Sequence, residues 1–303
     1  MLQTSTVPQV NEGNFSTATA GVQIERLANH DVTEVLEFLA QRPIHTVAMM
    51  SLIHDNGIVS PFNRGTFFGC RDLNGQLEGV ALVGHATLME TISDRALAAL
   101  AQVARECPST HLIMGEKERV ADFWSHYSET GRFQRLACRE WLFELTRTTE
   151  AREAIVELRP ARTSELELVM PIQAQLAFYE SGINPMQVDP EGFRERCLRR
   201  IEQGRTWVVV EKGELIFKAD VISKTAEVVY LEGVWLRDDC RHQHLGTRFM
   251  SELMRRLLEH TKSICLLVNE TNEWAQGFYR KCGFHFRATY ETIFLPRKEQ
   301  VQN

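Results

Sequence analysis

The stretch LEGVWLRDDCRHQHLGTRFMSELM, residues 231–254, carries the reading of this chain. An apolar run ends at Leu236, a charged and polar loop follows, and apolar residues then recur at 245, 249, 250, 253, 254, 257 and 258. Those positions share one face of a 3.6-residue period, so the segment is strand, loop, helix. A polar loop feeding a helix N-terminus offers unpaired backbone N–H groups at the positive end of the macrodipole, a geometry that accepts phosphate. Neither G-x-x-x-x-G-K-[ST] nor G-x-G-x-x-G occurs in it, so it is not a Walker loop or a dinucleotide fingerprint.

Upstream, TWVVVEKG, ELIFKADVIS and VVYLEGVWL read as three consecutive strands. Before them stand a strand over 156–161 and two helices over 163–182 and 189–204, the second opened by Pro190 and stopped by Gly204. Downstream come a buried-type strand SICLLV, a helix NEWAQGFYRKCG and a last strand FHFRATYETIFL. The first half has a similar order. Strand 22–27 precedes a helix capped by Asp31 and a second helix near 45–55. A hairpin over 66–90 turns at Asn74-Gly75, and helix 93–107, strand 111–115, helix 118–130 and a long strand 137–148 follow. Arg26-Leu27-Ala28 echoes Arg159-Pro160-Ala161, and LIM-G-E…A-D-F-W (112–124) echoes LLV-N-E…A-Q-G-F (266–278). Duplication of one α/β unit explains the echo. The expected organisation is a polar, disordered tail over 1–20, one unit over 21–150 and a second over 151–303.

The chain has 303 residues, a length suited to two domains. With 34 Lys+Arg against 40 Asp+Glu, the net charge of −6 argues against a nucleic-acid binder held by bulk charge. No apolar run is long enough for a membrane helix, and the first residues lack the basic and apolar regions of a secretory signal. Seven scattered cysteines without a C-x-x-C fit reduced thiols in the cytoplasm. Cys240, His242 and His244 are the only candidate metal ligands on the loop, with no second pair at zinc-finger spacing, so no metal is expected.

In this loop the chain resembles the GNAT superfamily of acyl-CoA-dependent N-acyltransferases. Arg241-His242-Gln243-His244-Leu245-Gly246 fills that family's [QR]-x-x-G-x-[GA], with His244 where the first Gly is usual. Val268, Asn272, Ala275, Tyr279, Gly283 and Phe284 fit V-x-x-x-N-x-x-A-x-x-x-Y-x-x-x-G-F without exception. The resemblance spans 156–295. It implies an α/β (α+β) fold of two GNAT-like domains, each a twisted, mixed, mainly antiparallel sheet flanked by helices. It further implies acetyl-CoA as cosubstrate and a small amine or peptide amine as acceptor, which attacks the thioester directly. Val234, Trp235 and Leu236 would lend backbone groups to pantetheine. Backbone N–H groups of His242, Gln243, His244, Leu245, Gly246 and Thr247 would cradle the pyrophosphate, with Arg241 as countercharge and Asn272 as a further contact. Asn272 also reads simply as an N-cap. The His244 departure brings a Cβ and a ring where Gly allows close approach and positive φ.

Tyr279 would protonate the departing thiolate; otherwise it is an amphipathic core tyrosine. Glu232, in the apolar strand VVYLEGVWL, is the candidate base, because a carboxylate there needs either a partner or a purpose. An ion pair with Arg or Lys is the structural alternative. Gly233 beside it permits a bulge. The first half lacks the loop motif, has Ser125 where the offset places Tyr279, and reads as a degenerate copy that covers the acceptor side. Two classes of function remain: an N-acetyltransferase, monomer or homodimer, or an acyl-CoA-binding regulatory or scaffolding protein without catalysis.

Overall fold

The computed structural model describes residues 16–19, 21–147, 157–241 and 244–296. Its first half runs β1 (Ser16–Thr19), β2 (Val22–Arg26), α1 (Val32–Leu39), α2 (Pro43–Asn56), β3 (Gly65–Asp72), β4 (Leu77–Gly84) and β5 (Ala86–Thr91). Helix α3 (Asp94–Glu106), β6 (Leu112–Glu116), α4 (Lys117–Tyr127) and β7 (Leu136–Leu145) complete that half. The second half begins with β8 (Arg159–Pro160), α5 (Leu166–Ser181), α6 (Pro185–Val188), α7 (Pro190–Glu202), β9 (Thr206–Glu211) and β10 (Glu214–Lys224). It ends with β11 (Val228–Leu236), α8 (Leu245–Leu258), β12 (Ser263–Asn269), α9 (Glu273–Lys281) and β13 (His285–Phe294).

Two local expectations need correction. Ser16–Thr19, inside the tail expected to be disordered, pairs with β2 as a strand; the β-branched threonines favour it, and Gly21 at φ +82 closes the reversal. Residues 1–15 and 20, and the division at 150/151, lie outside the described residues. The hairpin expected over 66–90 is three strands, because the chain breaks at His85. A Cβ on Gly84 would lie 2.3 Å from the Arg64 carbonyl oxygen, so the backbones touch there and the strand turns away as β5.

The strands form one sheet in the order β1-β2-β3-β4-β5-β6-β13-β7-β12-β11-β10-β9-β8. Neighbours are antiparallel except β5–β6 and β11–β12, one parallel pair in each half. That matching position supports the internal repeat. The two halves exchange their last strands: β13 lies between β6 and β7, and β7 lies between β13 and β12. Two units read from sequence are thus joined edge to edge into a single sheet.

Helices cover both faces. Helices α3 and α4 bury Ala96, Leu100, Val120 and Phe123 against β2–β4 and the end of β13, while α1 and α2 cover the opposite face. Helix α8 packs Phe249, Met250, Leu253 and Leu257 on β10–β12, and α5 and α7 close the other side. Helix α2 also reaches across the junction, where Val47 meets Leu142, Val228, Tyr230, Cys265 and Tyr290. Its end is tied to the second half by an Arg205–Asp55 ion pair at 2.7 Å, and in the turn that follows it the Phe62 ring lies 4.0 Å from the Arg199 guanidinium. No helix among the described residues is long and apolar enough to cross a membrane.

Candidate active site

Strands β11 and β12 pair in parallel from Val228↔Ser263 to Leu231↔Leu266 and then part. The parting coincides with a bulge. Asp220 pairs with Glu232 and Lys218 with Trp235, so β11 carries one extra residue there. Gly233 makes the bulge possible: its φ is +59, and a Cβ would lie 3.0 Å from Lys218 Nζ. Past the bulge, the β12-facing edge of Val234–Leu236 has no strand partner, and a cleft of about 1130 Å³ opens.

Below the bulge lies a charged network that sequence reading missed. Lys218 and Asp220, 0% and 1% exposed, contact each other at 2.6 Å. Lys218 also donates to Gln173 Oε1 (2.6 Å) and to the Gly233 carbonyl (3.3 Å), while Asp220 accepts from Arg200 (3.1 Å) and Thr206 (2.7 Å). Burial alone would raise the Asp220 carboxyl, but the Lys218 and Arg200 charges outweigh it and hold it low. The signal was available: a lysine and an aspartate inside the apolar run ELIFKADVIS, like Glu232 in its own strand.

Glu232 lines the cleft. Among the described residues no Lys or Arg forms an ion pair with it, and its hydrogen bond comes from the Tyr230 hydroxyl at 3.3 Å. Burial pushes its carboxyl up, with Arg200 opposing.

At the far end of the cleft, α8 begins without a side-chain cap, and among the described residues the first-turn N–H groups of Leu245, Gly246 and Thr247 have no capping acceptor. His244 precedes them at φ +58, ψ 4, the left-handed conformation in which the usual Gly would be unstrained. Gly246 packs so closely that a Cβ would sit 3.2 Å from Leu236. Expected contacts His242 and Gln243 lie outside the described residues. Arg241 is already engaged, paired with Asp238 at 2.8 Å and 5.9 Å from the Trp274 ring.

Helix α9 supplies the other wall. Asn272 caps it, accepting from the Ala275 N–H at 3.0 Å, and also lines the cleft. Tyr279 lines the same cleft, and its hydroxyl has no hydrogen-bond partner among the described residues. Burial raises its pKa well above that of a free phenol. Sequence reading also missed Glu140 of β7 and Glu180 of α5, which face Glu232 across the cleft. Glu140 reaches it only through the strand exchange, which no local pattern reveals.

The matching opening in the first half, between β5 and β6, is filled. Arg42 donates to Glu90 (3.1 Å) and to Glu116 (2.5 Å), His45 bonds the Tyr290 hydroxyl (2.8 Å), and about 40 Å³ remains.

Residues 172–284 match the model of the acetyltransferase (GNAT) family. Among solved structures, the chain is similar to an acetyltransferase from the GNAT family from Colwellia psychrerythraea, at 14% identity, covering 90% of this chain and 99% of that one with a TM-score of 0.56. It is similar to a GCN5-related N-acetyltransferase from Sphaerobacter thermophilus (13% identity, 92% and 98% covered, TM-score 0.57). A tandem GNAT protein from the clavulanic acid biosynthesis pathway aligns at 12% identity over 89% and 98%, with a TM-score of 0.54. No curated protein matches. At these identities the likeness is one of fold, and it extends over both halves.

Proposed function

We propose, from the premise that residues 172–284 form a domain of the acetyltransferase (GNAT) family, that the protein transfers an acetyl group from acetyl-CoA to a primary amine. The observation that carries this reading is one cleft into which a carboxylate without a basic partner and a phenol without a hydrogen bond both face. The same cleft joins an unpaired strand edge to an uncapped helix N-terminus, a combination suited to the amide-bearing arm and the pyrophosphate of CoA.

Acetyl-CoA supplies an activated thioester. The edge of Val234–Leu236 would orient it, and the N–H groups of Leu245, Gly246 and Thr247 would hold its phosphates. Glu232, directly or through water, takes the proton that the acceptor ammonium must lose before its nitrogen bonds to the acyl carbon. As the C–S bond breaks, the Tyr279 phenol donates its proton to the sulfur, and burial keeps that phenol protonated through alkaline pH. The Arg42 plug fits a first half that shapes the acceptor side and does not bind CoA. Seven free cysteines suit a reducing compartment such as the cytoplasm.

A thiol-release assay with acetyl-CoA over a panel of amines tests the reading. Tyr279→Phe should lower turnover about 100-fold with little change in CoA binding; unchanged turnover removes its role. The rival, an acyl-CoA-binding protein without catalysis, draws on the non-glycine His244 at φ +58. CoA binding in a thermal-shift titration, with thiol released by no amine, would favour it.

A further inference from the structure

The cleft has an acidic side that amine acetylation does not by itself require. Three carboxylates reach it from three elements: Glu232 from β11, Glu180 from α5 and Glu140 from β7 of the first half. None forms an ion pair with Lys or Arg among the described residues. Glu140 accepts from the Thr292 hydroxyl at 2.8 Å, Glu232 from Tyr230 at 3.3 Å, and Glu180 from no group. The nearby cations, Lys218 and Arg200, are both held by Asp220 at 2.6 and 3.1 Å. On this side of the cleft four carboxylates, when ionised, outnumber the two cations by two charges, while Arg237 and Arg241 at its far end are paired with Asp239 and Asp238.

Such a deficit is unfavourable in the free protein. Burial raises Glu140 and Glu232, while Glu180 stands exposed at the mouth of the cleft, near their charges. Carboxylates kept only for packing would be enclosed. These instead line an open volume of about 1130 Å³, beside the unpartnered hydroxyl of Tyr279. The missing positive charge has room to be a ligand.

We propose that the acceptor is an oligoamine, a small molecule with at least two amino groups, one presented as nucleophile beside Glu232 and another held as ammonium by Glu140 and Glu180. This rests on the acyl-transfer reading and narrows it. Amino acids and other acceptors that carry a carboxylate next to the amine are disfavoured, because that carboxylate meets charge of its own sign.

Calorimetric titration in the presence of CoA, where no transfer can occur, tests this with n-butylamine, 1,4-diaminobutane, cis-1,3-diaminocyclohexane, spermidine and alanine. Each added ammonium group should tighten binding roughly tenfold, and spermidine binding should weaken with salt more steeply than butylamine binding. The chain and ring diamines distinguish an extended ligand from a compact one. Glu140→Gln and Glu180→Gln should each cut the spermidine-to-butylamine ratio about tenfold while CoA affinity holds. Butylamine and spermidine binding within threefold of each other, or alanine binding as well as butylamine, overturns the proposal. The salt series uses the wild-type protein and so decides the matter even where a variant fails to fold. An amine ladder without thiol release from acetyl-CoA would sink the acyl-transfer reading and leave this one standing; thiol release with equal preference for butylamine would do the reverse.

Discussion

Replacing Lys218 with Met removes the cation from the network beneath the bulge while keeping a side chain of similar length. Lys218 is fully buried, and the substitution leaves Asp220, 1% exposed, with Arg200 and Thr206 only. Breaking a buried pair from one side costs about 3–5 kcal/mol. Because Arg200 stays at 3.1 Å, the low end applies, about 3 kcal/mol. The melting temperature should fall by roughly 5–10 °C. Urea unfolding of Lys218→Met, Asp220→Asn and the double variant closes the cycle. The double variant should be less destabilised than the sum of the singles by about 2 kcal/mol. Asp220 has a depressed folded pKa, so its stabilisation is present above the unfolded value of about 3.9 and is lost as pH falls through the folded one. The difference between wild type and Asp220→Asn should therefore vanish in strong acid. Lys218 also anchors the Gly233 carbonyl, so kcat/KM should fall about tenfold through a misplaced strand edge. A loss below 1 kcal/mol, or an additive cycle, would refute the view that this pair supports the bulge.

The proposed base gives a pH signature: activity should rise with pH as Glu232 loses its proton, along a limb above the ordinary carboxylate range because burial raises it. Glu232→Gln should flatten that limb, and an identical profile would make Glu232 structural. His244→Gly relieves a left-handed non-glycine residue worth about 1–2 kcal/mol, offset by about 0.5–1 kcal/mol of glycine entropy. Stability should change by under about 1 kcal/mol while CoA binds more tightly; weaker binding would mean that the imidazole itself holds phosphate. Residues 151–303 expressed alone should lack a cooperative unfolding transition, since β12 loses β7 and β13 loses both neighbours. A monomeric fragment that unfolds cooperatively and binds CoA would contradict this, and coexpression with residues 1–150 should restore the fold.

Local chemistry made much of the fold legible. The apolar face of α8, the apolar runs of β9–β11 and the cap at Asn272 are all encoded within a few residues of one another. So was the line from strand through loop to helix, and with it Glu232, Tyr279 and the α8 N-terminus as candidates. The bulge could be expected from Gly233, because glycine takes the left-handed conformation at no steric cost.

Tertiary structure decided what each strand pairs with and which charges meet. An alternating strand such as β7 fits any open edge of suitable register, so its period cannot say that it lies between β13 and β12. That choice alone carries Glu140 from the first half into the cleft of the second, opposite Glu180 and Glu232. The sequence by itself pointed to two related α/β units and, in the second, to the loop proposed to hold phosphate. The carboxylates gathered in the cleft, the Arg42 plug and the lack of a basic partner for Glu232 among the described residues follow from distances between residues far apart in the chain. Electrostatic energy depends on those distances and on burial, neither of which any local pattern contains.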